Sequence, residues 1–160
     1  MTYPAAVRTL CDRLPEDLPW AITASANLAL RGLPVDPGDV DVVTDAEGVH
    51  RIADCFSDAV VRPLVPPEAA GSPTIRSHFG ALSLDGCEVE LMGDVEHRVD
   101  GEWVPAPDVG AVREFVTMGE YAVPVMPLDF EAFGYRARGD NERAALVAKH
   151  AEGAAAEARR

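Results

Sequence analysis

"GDVDVVTD", from Gly38 to Asp45, sets two aspartates one residue apart inside a run of valines. A strand alternates its side chains between two faces, so Val40 and Val42 share one face while Asp39 and Asp41 share the other. The valine face reads as core. The aspartate face brings two like charges to bases roughly 7 Å apart, where they repel unless water or a cation takes up the charge.

The flanking sequence gives this strand a setting. Upstream, "WAITA" (20–24) is a short apolar run that passes directly into "SANLALRGL" (25–33), where Leu28, Leu30 and the stop at Gly32 predict a short helix. Downstream, "AEGVHRIADCFS" carries Val49, Ile52, Ala53 and Phe56 at helical spacing, and "DAVVRPLV" predicts a further strand. "PPEAAGSP" reads as a loop. "TIRSHFGALSL" and "CEVELMGD" read as two strands of a hairpin joined at Asp85 and Gly86, a dipeptide suited to the tight turn.

The remaining segments complete an α/β pattern. "PAAVRTLCDRL" predicts a first helix through Val7, Leu10, Cys11 and Leu14. The stretch from Val95 to Pro127 is broken by glycine and proline, with "EWVPA", "REFVT" and "YAVPVMP" as short strand or edge pieces. "LDFEAFGYRARG" and "DNERAALVAKHAEGAAAEARR" predict two closing helices, the second fraying at its charged end. The expectation is one domain over residues 1–160, with its core over about 20–94 and C-terminal helices over about 128–158.

Composition narrows the function classes. The 160 residues are 48% hydrophobic, yet no stretch nears the ~20 apolar residues of a membrane helix. "MTYPAAVRTLCDRL" shows neither the basic start nor the apolar run of a signal peptide, so a soluble, cytoplasmic protein without a membrane partner is expected. Cys11, Cys55 and Cys87 show no metal or disulfide spacing and read as small core residues. With 27 acidic against 14 basic residues the net charge is −13, and Lys149 is the one lysine. Such a surface repels polyanions and argues against a nucleic-acid partner. It also resembles the composition of proteins adapted to high salt.

The acids themselves point to a metal. A hard divalent cation such as Mg²⁺ takes carboxylate oxygens together with water and substrate phosphates, and it offsets the repulsion between paired aspartates. The hairpin strand supplies further acids, Glu88 and Glu90, alternating with Val89 and Leu91. An Asp-x-Asp pair on a strand is also commonly just solvated, so the flanks matter. The turn "TAS" before the second helix offers small residues and a hydroxyl at a point suited to an anion.

Taken in order, the apolar strand, small-residue turn, helix, "DVDVV" and later acidic strand resemble the nucleotidyltransferase fold of the DNA polymerase β superfamily. The likeness is greatest to its small members, the antibiotic and toxin–antitoxin nucleotidyltransferases. It implies a mixed β-sheet flanked by helices, with a C-terminal helical segment. It also implies transfer of a nucleotidyl group from a nucleoside triphosphate to a hydroxyl acceptor, with two Mg²⁺ ions, or Mn²⁺ in their place. In such a site Asp39, Asp41 and Glu90 hold the metals and serve catalysis, while Ala24 and Ser25 form the nucleotide-binding turn. Glu90 is preferred to Glu88 because "VELMGD" is similar to the family's acidic strand ending in Gly-Asp.

The resemblance departs at two places. Ala24 stands where the family has glycine, and "GDNER" gives Asp140, Glu142 and Arg143 where a basic-then-acidic pair is usual. These departures frame two alternatives: a catalytically weak member acting as an antitoxin-like binding partner, or a plain α/β domain without a site. Arg76, Arg136, Arg138 and Arg143 are candidate cations for the phosphates. His78 is expected to pack on its strand, whereas His50, His97 and His150 are expected at the surface. Trp20 and Trp103 are expected in the core, with base stacking as the alternative for Trp103. A homodimer or partner chain would help a chain this small enclose both substrates.

Overall fold

Pro4 suits the first turn of a helix, and α1 (Tyr3–Arg13) follows, burying Ala6, Val7 and Leu10. The structure is a computed structural model that describes residues 3–158. Met1, Thr2, Arg159 and Arg160, included in the domain expected over 1–160 and its fraying end, lie outside the described residues.

The next elements are β1 (Ala21–Thr23), α2 (Ala24–Leu30), β2 (Val40–Thr44), α3 (Ala46–Cys55) and β3 (Val60–Val65), with a short 3-10 turn before the last. A one-turn helix, α4 (Pro67–Ala70), stands within the segment expected to be loop; Pro66 and Pro67 start it and Gly71 follows it. The hairpin is β4 (Ile75–Leu84) and β5 (Cys87–Val99). Its turn has φ of 52° at Asp85 and 77° at Gly86, the left-handed pair that a two-residue hairpin requires. Then come β6 (Glu102–Val104), α5 (Val109–Val112), β7 (Glu114–Met118), β8 (Tyr121–Val125), α6 (Leu128–Ala137) and α7 (Asn141–Ala158).

The strands form one mixed sheet in the order β3-β4-β5-β2-β1-β8-β7, with β6 added beside β5. β2 runs parallel to β5 and antiparallel to β1. Val40 and Val42 pair in register with Val89 and Leu91 and join α1 and α3 in the largest apolar cluster, which Trp20 closes. This is why β2 holds its register: a slip by one residue would bury Asp41 there and expose the valines. On the opposite face Phe130 of α6 packs with Ala21, Val43, Val95 and Met126, and α7 packs on α6 and α2 through Leu28, Leu33, Ala132, Tyr135, Ala144 and Val147.

Three expectations about individual side chains need correction. His97 is buried, not superficial: β5 takes an extra residue at Asp94, where φ is 52°, and this turns His97 under α6, against Phe130 and Phe133. The pairing shifts from His78↔Gly93 to Arg76↔Glu96 across that bulge, so beyond it the odd-numbered residues turn to the face that Glu90 occupies. Trp103 is not in the core; it is half-exposed on short β6, with Arg76 stacked 4.3 Å from its ring. Of the cysteines only Cys87 is buried, while Cys11 and Cys55 lie half-buried at the core's margin.

Leu91 lies 1% exposed directly beneath the acidic face. Leu91→Ala is expected to cost about 2–5 kcal/mol in urea unfolding, the range for a leucine cavity in a core that only partly relaxes; a loss under about 1 kcal/mol would show that this face is not well packed.

Candidate active site

The opening stretch divides its labour residue by residue. Val40 and Val42 enter the core, Thr44 donates to the Pro19 carbonyl at 2.7 Å, and Asp45 caps α3 by accepting from the Gly48 N–H at 2.6 Å. Asp39 and Asp41 are left on the other face. In the parallel pairing Asp41 lies beside Glu90, and in the antiparallel pairing beside Thr23. One row across three strands thus carries Thr23, Asp41 and Glu90.

The carboxylates of Asp39, Asp41 and Glu90 each offer an oxygen within 4.8 Å of the others. Burial, hydrogen bonding to Glu90 and the charges of Asp39, Glu90 and Glu131 push Asp41 up to about 8. Asp39 is also raised, by burial first and then by Glu90 and Glu88. Glu88 does not join the trio. It pairs with Arg62, whose Nη2 lies 3.1 Å from oxygens of both Glu88 and Glu90.

The turn after β1 is tied down by a residue that sequence reading did not single out. Glu131 of α6, 4% exposed, accepts from Thr23 Oγ1 at 2.7 Å, from the Ala24 N–H at 2.8 Å and from Asn27 Nδ2 at 2.6 Å. Burial pushes it up to about 7 against the lowering effect of these three donors. Ala24 itself takes φ of 59°, the left-handed region that glycine enters freely and alanine at a cost of roughly 1–2 kcal/mol. The signal for Glu131 lay in the helical stripe Leu128, Glu131, Ala132 and Tyr135, where a carboxylate shares the face that packs.

A cavity of about 160 Å³ opens beside this turn, lined by Ala24, Asp41, Met92, His97, Phe130 and Arg138 among others. A larger groove of about 780 Å³ adjoins it across Val95, His97 and Phe130, and none of the three clustered acids lines it. Ser25 Oγ accepts from Arg143 Nη1 at 3.2 Å. Of the four candidate arginines, Arg138 and Arg143 reach the turn or its cavity. Arg76 is instead engaged by Glu96 at 2.6 Å, and Arg136 is exposed on α6.

Comparison with known proteins places the fold. A family model described as Aminoglycoside-2''-adenylyltransferase matches residues 6–152. Among solved structures, a provisionally named nucleotidyltransferase from Thermotoga maritima superposes with a TM-score of 0.79 at 34% identity, over 94% of this chain and 93% of that one. No curated protein sequence matches.

Two expectations follow. Ala24→Gly relieves the left-handed strain against a modest entropy cost, so unfolding should show a gain of roughly 0.5–1 kcal/mol; a loss would mean the methyl contributes packing that offsets its strain. Asp41 and Glu131 hold protons more tightly folded than unfolded. Their contribution is thus fully present below about pH 4, the unfolded carboxyl range, and is lost as pH rises through about 7 to 8. In EDTA the thermal midpoint should be lower at pH 8.5 than at pH 5.5, and less so in Asp41→Asn; a midpoint that rises over this interval contradicts the crowding of the acids.

Proposed function

The chain belongs to the aminoglycoside-2''-adenylyltransferase family, and from that premise we propose a metal-dependent nucleotidyltransferase that moves a nucleoside monophosphate group from a triphosphate to a hydroxyl acceptor. The observation that carries this reading is the convergence of Asp39, Asp41 and Glu90 within 4.8 Å, with Asp41 also lining the cavity beside Ala24.

The donor set fits Mg²⁺. Three carboxylates supply hard oxygen ligands, and Asp41 is raised by burial first and then by its acidic neighbours, whose charge a divalent ion would offset. When bound, such ions supply stabilisation of phosphate charge and acidification of the acceptor hydroxyl. Mn²⁺ suits the same ligands.

Within this reading Asp39, Asp41 and Glu90 hold the ions, and Glu90 takes the acceptor's proton. The Ser25 hydroxyl contacts the triphosphate. Ala24 borders the nucleotide by shape, since its N–H is already engaged by Glu131. Glu131 keeps the turn in its left-handed conformation. The excess of acids over bases, −13 overall, favours a cationic acceptor, in keeping with the aminoglycoside of the family's description. Among the described residues no helix is long and apolar enough to cross a membrane.

The test is pyrophosphate release from ATP and Mg²⁺ in the presence of hydroxylated, amine-rich acceptors. Asp41→Asn and Glu90→Gln should each lower the rate by about a thousandfold or more, the equivalent of several kcal/mol of lost charge stabilisation. Mn²⁺ at about a hundredfold above its Kd should stabilise the wild type by about 2.7 kcal/mol, a rise in Tm of roughly 5–10 °C that Asp41→Asn removes. No pyrophosphate release with any acceptor, together with no metal-dependent rise in Tm, would sink the proposal.

A further inference from the structure

Two arginines at the junction of α6 and α7 stand at the turn and its cavity without a carboxylate partner. Arg31, Arg51, Arg62 and Arg76 each pair with a carboxylate. Arg138 and Arg143, like several arginines elsewhere among the described residues, form no such pair, but only these two reach the Ala24–Ser25 turn or the cavity beside it. Both guanidiniums lie against the ring of buried Tyr135, at 5.0 and 5.7 Å from its centroid. Arg143 reaches Ser25 Oγ at 3.2 Å, and Arg138 lines the cavity that holds Ala24 and Asp41.

Arg138 is held by a neutral histidine. Its Nη1 lies 3.0 Å from His97 Nε2. A guanidinium has only donors, so that nitrogen must accept and the ring proton sits on Nδ1. The imidazole is buried and meets Phe130 and Phe133 edge-on at 6.1 and 5.6 Å, which fixes its plane. Gly134 leaves room for the bond: a Cβ there would stand 3.2 Å from Arg138 Nη1 and 3.3 Å from His97 Nε2, a tight fit that would press on both.

We propose that Arg138 and Arg143 grip the polyphosphate of the nucleotide from the two sides of the Ala24–Ser25 turn, and that His97 is the positioning residue that aims Arg138. The proposal rests on the nucleotidyl-transfer reading above and adds the cations and their support. A guanidinium offers five N–H donors in a fork that matches phosphate oxygens, and the bond to His97 uses only one of them. A nucleoside monophosphate lacks the outer phosphates, so the pair should discriminate between nucleotides by phosphate number.

Calorimetry in Mg²⁺ with a non-hydrolysable ATP analogue and with AMP tests this, alongside Mn²⁺ binding without nucleotide. Arg138→Met and Arg143→Met should each weaken the triphosphate analogue by about 10- to 100-fold, the value of one charge-assisted contact, while AMP changes by less than about threefold. His97→Leu should weaken the analogue by about 3- to 10-fold, and His97→Gln, whose amide oxygen can accept the same bond, should recover most of that loss. Mn²⁺ affinity should hold in all four. Where a methionine variant fails to fold, Arg138→Lys and Arg143→Lys replace it, and each should still lose affinity because an ammonium lacks the fork. Unchanged analogue binding in both arginine variants would overturn the inference and leave the nucleotide reading standing. Equal losses for AMP and the analogue, or a parallel loss of Mn²⁺, would overturn it in favour of a purely structural role. Wild type that binds Mn²⁺ but no triphosphate would overturn the nucleotide reading, and the inference with it.

Discussion

Parallel pairing of β2 with β5 sets Asp41 directly beside Glu90, and the rest of the cleft is arranged around that contact. Two carboxylates abreast repel, so the arrangement persists only because the same register buries Val40, Val42, Val89 and Leu91 on the reverse face. The apolar face holds the acidic face in place. Asp41 is raised to about 8, by burial first and then by the acids around it, and Arg62 spans Glu88 and Glu90 from the edge strand β3. Crowded, partly buried acids that the fold keeps together against their repulsion are what a cation site requires.

A second constraint joins the helical layer to this row. Glu131 reaches from the first turn of α6 to Thr23, Ala24 and Asn27, so the turn after β1 is tied to α6. A buried carboxylate is costly unless its lone pairs are met, and here three donors meet them. Asn27 extends the network to the Met126 carbonyl and, through Arg31, to Glu114 on β7. The left-handed backbone of Ala24 is sustained inside this network, an instance of local strain over-determined by its surroundings. The tie explains how a chain with alanine at this position keeps the turn that glycine would adopt more easily.

Much of the architecture was legible because it follows from local patterns. Alternation marked β2 and β5, Asp85-Gly86 marked the hairpin, and helical spacing marked α1, α3, α6 and α7. The gathering of Asp39, Asp41 and Glu90 was legible for the same reason, since parity alone assigns them to one kind of face. His97 was misread as superficial although the odd-numbered residues of β5, Val89, Leu91, Val95 and His97, are the buried set; what the sequence did not show is the bulge at Asp94, which decides the face on which His97 is buried. Trp103 was misread because size and hydrophobicity suggest burial, whereas its short strand lies outside the main run of the sheet, where Arg76 covers its ring.

The order of strands and helices, the faces of β2 and β5 and the acidic character of the cleft were therefore settled by residue spacing and charge, which are properties of neighbours along the chain. What only folding decided were contacts between residues 41 to 118 positions apart: Glu131 on Ala24, Arg143 on Ser25, Arg138 on His97. No periodicity encodes these. They depend on the angle at which α6 and α7 pack over the sheet and on one extra residue in β5, and both are fixed by the sum of packing across the whole core, not by any local signal.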